Sequence, residues 1–304
     1  MTPAGQIPTA QELLMFEEIG PDRFRACFNL DNYAGAAFGG QLLGQALAAV
    51  CATVADWPVT SLNGFFFRAG KLDAPIDYVV ERVSEGRRFA SRQVTAHQHD
   101  RPIFGLQCSF HKPEDGAAHQ SDRADLSPPP EQLPNLREFA QARGDSLPGI
   151  LRDLFSRPFP IELRPLRPDS FLTETDRDLW IRVPSGVDVA GGRNHQALLA
   201  MMSDYWLPGA IIAHHGRDRG GYSVTSLNHS LWFHGPARAD EWLLYQTRSH
   251  WSGKGRGLAH GLIFDRRGRL VATAMQEALL KPLSALAEKS GQGAGVEAPV
   301  IRLP

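Results

Sequence analysis

Two stretches, Ser61-Leu62-Asn63-Gly64-Phe65-Phe66-Phe67 and Ser226-Leu227-Asn228-His229-Ser230-Leu231-Trp232, open on the same tripeptide 165 positions apart. Three matching residues arise easily by chance, so their surroundings decide whether one structural unit is used twice. Upstream of the first lies GGQLLGQALAAV, where Leu42, Leu43, Ala46, Leu47 and Val50 recur at helical spacing. The other positions are Gly or Ala apart from Gln41 and Gln45, and a helix that is small or apolar nearly all round must be enclosed on most sides. The second copy follows NHQALLAMMSDYWL, Asn194 to Leu207. Downstream, each copy reads as strand, turn, strand. The first is RRFASRQVTAHQHDRPIFGLQCSF, turning at His99-Asp100-Arg101-Pro102; the second is RGLAHGLIFDRRGRLVATAMQEALL, turning at Asp265-Arg266-Arg267-Gly268. Cys108 to Gln276 is 168 positions, a drift of three residues that one loop insertion explains and that sets Cys108 at the position of Gln276. Matching order, spacing and turns indicate a duplication. The unit is a long buried helix wrapped by a strongly twisted antiparallel sheet. Two such units can join edge strands into one continuous sheet, an α+β fold.

Between the halves the composition changes. KPEDGAAHQSDRADLSPPPEQLPN is polar and prolyl, as a solvated connector would be. A short amphipathic segment follows, with Leu136, Phe139, Ile150, Leu151, Leu154 and Phe155 as its apolar members, and RPFPIELRP closes it. The expected division is an N-terminal repeat over 1–112, a linker over 113–178 and a C-terminal repeat over 179–304. The 304 residues carry 32 basic and 33 acidic side chains, a balance that gives no support to nucleic-acid or membrane-surface binding. Cys27, Cys51 and Cys108 form neither a disulfide framework nor a CxxC metal pair, and are expected to be reduced thiols. The first residues lack the pattern of a signal peptide, the uncharged stretch Tyr33 to Ala55 reads as a buried helix, and the terminal IRLP is no peroxisomal address. A soluble, cytoplasmic protein is expected.

FGGQLLGQALAA, FFFRAGKLDAPIDYVVERVSEGRRFASRQVTAHQ, RPFPIELRP, SLNHSLWFHGPARADEWLLY and FDRRGRLVATAMQEALL, taken in order, resemble the acyl-CoA thioesterase II family over roughly Leu13 to Lys281. That resemblance implies a double hot-dog fold and hydrolysis of acyl-CoA thioesters to free acid and CoA, with no metal or cofactor. It implies a catalytic set of an aspartate ending the second buried helix, a hydroxyl residue in the second tripeptide strand and a glutamine in the last strand. In this chain these are Asp204, Ser226 and Gln276. Together with the exposed sheet edges it also implies a homodimer or homotetramer.

The residues carry their own argument. Asp204 ends an uncharged helix, where a carboxylate faces the negative end of the macrodipole at a cost of about 0.3–1 kcal/mol. It either caps the next turn before Pro208-Gly209 or is a partly desolvated general base. Gln276 shares a strand face with Leu270, Ala272 and Ala274, and an amide there needs a partner. Ser226 stands where the family often has Thr, keeping the hydroxyl but loosening χ1, and Asn228-His229 replaces the family's usual Asp-His. His229 and Asn228 are therefore read as supporting residues, the loss of charge at 228 altering the hydrogen bonding of His229, with a satisfied buried histidine as the equal alternative for His229. The oxyanion is expected at backbone amides of a buried helix N-terminus, Gly39-Gly40-Gln41, whose glycines equally suit close helix–sheet packing.

The expected mechanism is direct attack of a water positioned by Asp204, Ser226 and Gln276, since no GxSxG elbow is present. His97/His99 and His214/His215 lack companion metal ligands, and GKGRG from Gly253 is a turn rather than a dinucleotide loop. Arg68 and Arg88 either meet CoA phosphates or form a solvated face. Two alternatives stay open: an acyl-CoA-binding protein with impaired catalysis, and a hot-dog hydratase or dehydratase, which requires an Asp/His pair.

Overall fold

The structure, a computed structural model, describes residues 9–282 apart from 27, 33–34, 56, 121–125, 127, 148, 185–191 and 216–220. Cys27 and both termini thus lie outside the described residues, while Cys51 and Cys108 are buried. The first half runs β1 (Glu17–Gly20), β2 (Arg23–Ala26), α1 (Gly39–Cys51), β3 (Val59–Phe66), β4 (Ile76–Glu85), β5 (Phe89–Gln98) and β6 (Arg101–His111). A middle segment carries α2 (Leu136–Arg143), α3 (Gly149–Ser156) and β7 (Glu162–Pro165). The second half runs β8 (Arg177–Arg182), α4 (Gly192–Asp204), α5 (Leu207–Ala213), β9 (Tyr222–Phe233), β10 (Leu243–Gly253), β11 (Arg256–Phe264) and β12 (Leu270–Pro282).

All twelve strands form one antiparallel sheet in the order β1-β2-β4-β5-β6-β3-β9-β12-β11-β10-β8-β7. Read outward from its centre, β3-β6-β5-β4-β2 is mirrored by β9-β12-β11-β10-β8. The two tripeptide strands meet at that centre, with Ser61 opposite Trp232 and Gly64 opposite His229. This is the double hot-dog. Its hairpins follow turn chemistry: His99 and Asp100 both take positive φ (47° and 60°), a two-residue turn, so Arg101 and Pro102 already belong to β6. Lys254 and Gly255 (φ 51° and 74°) do the same between β10 and β11, which places GKGRG in a hairpin turn.

Three expectations need correction. The buried helices are not each enclosed by sheet alone; α1 and α4 pack antiparallel against one another. A Cβ on Gly40 would lie 2.3 Å from the Met201 carbonyl oxygen, and one on Gly44 2.9 Å from that of Ala197. The glycines of α1 therefore serve helix–helix approach, which no strand periodicity could disclose. The middle segment is also more than a solvated connector. Phe139, Phe155 and Phe171 join the main core, while Leu126 and Leu133 cover Trp180, Trp242 and Phe264 on the opposite sheet face. The indole N–H of Trp180 donates to the Pro128 carbonyl at 3.0 Å, so this proline-rich chain is pinned to the sheet.

The third correction concerns register. Gln276 pairs with His229, and the residue opposite Gly64, the first-half equivalent of His229, is Leu106; Cys108 pairs with Leu62 instead. Counting across the ladder thus sets Leu106, not Cys108, at the position of Gln276.

Candidate active site

The tripeptide strands differ in where each carries an extra residue. In β9 Asn228 pairs with Glu277 and Ser226 with Ala278, leaving Leu227 unpaired. His229, Leu231 and Phe233 point inward and are buried, while Asn228, Ser230 and Trp232 point outward. Regular alternation would send Ser226 outward with them. The bulge at Leu227 turns it to the inner face instead, which is how bulges re-aim side chains beside functional sites. In β3 the extra residue is Thr60, ahead of the tripeptide, so Ser61 keeps the outer face and lies opposite Trp232.

On the inner face Ser226 meets Asp204 and Gln276. The Gln276 amide donates to Asp204 Oδ1 at 2.5 Å and to Ser226 Oγ at 2.7 Å, while Ser226 Oγ stands 3.5 Å from Asp204 Oδ1. Both Gln276 N–H groups are thereby engaged, and Gln276 is fully buried. It positions the other two rather than reaching into open space. The 3.5 Å contact is a weak hydrogen bond, which leaves the Ser226 hydroxyl hydrogen available to another acceptor.

Asp204 is 5% exposed, and burial pushes its carboxyl up to about 6, against the hydrogen bonds from Gln276, the Gly40 amide and Ser226. Its position at the C-terminus of α4 is compensated from the other half, because the N-terminal turn of α1 points its positive end at the carboxylate. A Cβ on Gly39 would come within 2.9 Å of Asp204 Oδ2, so only glycine allows this approach. Asp204 does not cap the following helix: α5 has Trp206 at its N-cap and no side-chain cap.

The remaining expected residues divide. His229 is fully buried, its Nε2 2.9 Å from Ser203 Oγ and its Nδ1 3.9 Å from Asp204 Oδ1. Burial drives its pKa down to about 4, a contact with the Gln276 side chain opposing this, so it is a neutral imidazole. Asn228 lies on the outer face, where its amide donates to Glu277 at 3.0 Å. The expectation that residue 228 tunes His229 fails because adjacent strand residues face opposite ways. At the α1 N-terminus Gly40 gives its amide to Asp204. The Gln41 side chain accepts from the Leu30 amide and donates to the Phe28 carbonyl at 2.8 Å, tying down the preceding loop. Of this trio only Gly39 lines the cavity in front of Asp204.

That cavity, about 530 Å³, has Asp204 and Ser226 in its wall. Phe67, Arg68 and Ala69 at its rim are exposed, and Leu42, Leu151, Leu154, Phe159 and Ile212 make its interior apolar. Leu151 and Leu154 come from the segment read as a linker; their amphipathic spacing was the signal that this segment packs against something. Arg177, buried in the same wall, gave no sequence signal beyond its place ahead of an apolar strand. No histidine lines the cavity among the described residues.

Comparison with known proteins identifies the family. Residues 30–111 match the family described as the acyl-CoA thioesterase N-terminal domain, and residues 125–280 the acyl-CoA thioesterase C-terminal domain. The chain is 34% identical over 255 residues to human acyl-coenzyme A thioesterase 8, covering 80% of each protein. It is 32% identical over 253 residues to acyl-CoA thioesterase 2 of Haemophilus influenzae, covering 80% of this chain and 87% of that one. Among solved structures, the acyl-CoA thioesterase II TesB2 of Mycobacterium marinum superposes with a TM-score of 0.75 at 32% identity, covering 91% of this chain and all of the other.

Proposed function

The chain belongs to the acyl-CoA thioesterase II family and is an acyl-CoA thioesterase; from that premise we propose that Asp204 is the general base for direct attack of water on the thioester carbonyl. The carrying observation is a carboxylate that is nearly dehydrated yet lines an apolar cavity and has its ionisation raised to about 6. Such a base is ionised at neutral pH and still basic enough to take a proton from water in the transition state. Gln276 holds Oδ1 and the Ser226 oxygen together, which orients the carboxylate and leaves Oδ2, beside Gly39, to receive the water.

In the first step the water oxygen bonds to the carbonyl carbon, its proton passes to Asp204, and the C=O electron pair moves onto oxygen. The Ser226 hydroxyl and the backbone amide of Gly39, in the first turn of α1 and in the cavity wall, are the donors for that oxyanion. Collapse restores the C=O bond, breaks the C–S bond, and the CoA sulfur recovers the proton held by Asp204.

A dehydratase reading would use the Asp204–His229 pair, 25 positions apart in the chain and 3.9 Å apart in the fold. Hydrolysis is favoured because His229 is sealed behind the cavity wall and occupied by Ser203, whereas a dehydratase histidine must reach substrate. The dehydratase domain of RzxB from Pseudomonas fluorescens shares the fold at a TM-score of 0.54 and 13% identity, a likeness of fold alone.

The test is thiol release from a chain-length series of acyl-CoAs by wild type and Asp204→Asn. Collapse of turnover at every length, with folding intact, is expected. A variant that keeps wild-type turnover would overturn the assignment of the base.

A further inference from the structure

Two buried polar atoms beside the proposed base have no hydrogen bond: Nδ1 of His229 and Oε1 of Gln276. They belong to directly opposed residues of β9 and β12, both on the inner face and both 0% exposed. An unmet buried polar atom is costly, so two complementary ones on a single cross-strand pair call for a joint explanation. The first half has Gly64 opposite Leu106 at these positions, Val50 where α4 has Ser203, and Cys51 where α4 has Asp204. The polar partners and the carboxylate are thus absent from it together.

The side chains of His229 and Gln276 touch, and Gln276 draws the imidazole toward protonation, as an acceptor does. The Gln276 amide nitrogen is committed to Asp204 and Ser226, and His229 Nε2 to Ser203, so the facing atoms are Oε1 and Nδ1. The tautomer of His229 decides how they meet. Ser203 Oγ lies 2.9 Å from Nε2 and 2.9 Å from the Ala200 carbonyl oxygen, with one hydrogen to give. If Ala200 receives it, Nε2 carries the ring proton and Nδ1 presents a lone pair to Oε1 and to Asp204 Oδ1, 3.9 Å away. If Nε2 receives it, the ring proton sits on Nδ1 and meets both oxygens as an N–H. Only this second arrangement avoids facing lone pairs.

We propose that His229 is a positioning residue for the acid–base step: held as the Nδ1–H tautomer by Ser203, it faces Gln276 Oε1 and keeps the amide N–H groups turned to Asp204 and Ser226. This rests on reading Asp204 as the base. While Asp204 is ionised, its charge alone favours that orientation. The need arises once the water proton has been transferred. A neutral carboxyl donates as well as accepts, so an unrestrained amide is free to turn over and take an Oδ1–H···Oε1 hydrogen bond, which holds the proton on the oxygen away from the cavity. With Nδ1–H against it, the amide stays as it is, Oδ1 remains an acceptor, and the proton resides on Oδ2, from which it leaves to the CoA sulfur. Among the described residues, the other groups that bear on this pair are uncharged. They are the Gly40 amide of α1, Ser226 of β9 and Tyr245 of β10, whose hydroxyl donates to the Ser203 carbonyl at 2.8 Å and is kept protonated by burial.

Nitrogen NMR of histidine-labelled protein, with His229 assigned by its loss in His229→Asn, reads the tautomer on the wild type at neutral pH. Protonated Nδ1 and bare Nε2 are expected; the reverse would overturn the proposal, whether or not any variant folds. The kinetic arm compares His229→Leu, which removes both ring nitrogens, with His229→Asn, whose amide keeps an N–H near the place of Nδ1. His229→Leu should lower kcat roughly 10-fold with KM within about twofold. The midpoint of its kcat/KM profile should rise from about 6 by roughly half a pH unit or more, because a turned amide stabilises the protonated carboxyl. His229→Asn should recover most of kcat and return the midpoint. In a Gln276→Leu background, adding His229→Leu should cost less than about twofold. An unmoved midpoint, or full additivity in the double variant, would assign His229 to packing and defeat the proposal. Wild-type turnover by Asp204→Asn is a separate failure, that of the base reading, and leaves the measured tautomer in place.

Discussion

β3 and β9 lie side by side at the centre of the sheet and carry the same Ser-Leu-Asn, yet one serine faces the exterior and the other the cavity beside Asp204. The cause is the place of a single extra residue: Thr60 before the tripeptide in β3, Leu227 within it in β9. The helices repeat the contrast. Both α1 and α4 run for 13 residues, and where α4 ends on Asp204, α1 ends on Cys51. With Leu106 at the position of Gln276, the first half holds Cys51, Ser61 and Leu106 against Asp204, Ser226 and Gln276 in the second. The first half retains the architecture and supplies a helix N-terminus; in the proposed mechanism the second supplies the acid–base chemistry. A duplicated fold thus need not mean a duplicated site, because a functional set depends on face and register as well as on residue type.

The sharpest way to break this comparison is Asp204→Asn. Thiol release should fall by about 10²–10⁴-fold, with no plateau at half of wild-type activity; such a plateau would mean the first half is also a site. The same carboxylate sets the pH profile. With its pKa raised to about 6, kcat/KM should rise about tenfold per pH unit below that value and level off above it.

Next comes Gln276→Leu, which copies the first half into the second. It frees the carboxylate and the Ser226 hydroxyl together, and a loss on the order of 10²-fold is expected in kcat by steady-state assay. Ser226→Ala should reduce kcat by about 10- to 100-fold, while Ser226→Thr retains most activity and Ser61→Ala changes it by less than about twofold. A comparable loss from Ser61→Ala would contradict the assignment of that serine to the outer face. Asn228→Ala is expected to have the smallest effect, under about twofold in kcat/KM, since its amide reaches only Glu277.

Stability should move opposite to activity. Between the ordinary carboxyl value of 3.8 and about 6, the folded chain holds on Asp204 a proton that the unfolded chain has released. Stability therefore declines as pH rises through that window, and the whole deficit is present above it. Removing the charge in Asp204→Asn should stabilise the protein at pH 7 by up to about 3 kcal/mol, with the advantage fading below pH 4. Chemical denaturation at both pH values measures it.

Much of this protein is determined by local patterns along the chain. Helical spacing in GGQLLGQALAAV, alternation in the strand that carries Gln276, and the turns at His99 and Gly268 specify elements whose stabilising contacts repeat at fixed intervals, and the duplication is legible from their order. The resemblance of the motifs to the thioesterase family singled out Asp204, Ser226 and Gln276, which the fold brings within hydrogen-bond reach. What the sequence alone left undecided is non-local. The bulge at Leu227 depends on how β9 and β12 pair, and it alone decides the face of Ser226. Asn228 and His229 are adjacent in the chain, but a strand sends adjacent side chains to opposite faces. The glycines of α1 depend on an opposing helix more than 150 positions away, and Arg177 becomes an unpaired cation only once Asp178 has turned to Arg248 across the sheet. Periodicity is a property of one segment and can be read from it; register, facing and charge pairing belong to two segments at once, and only their packing determines them.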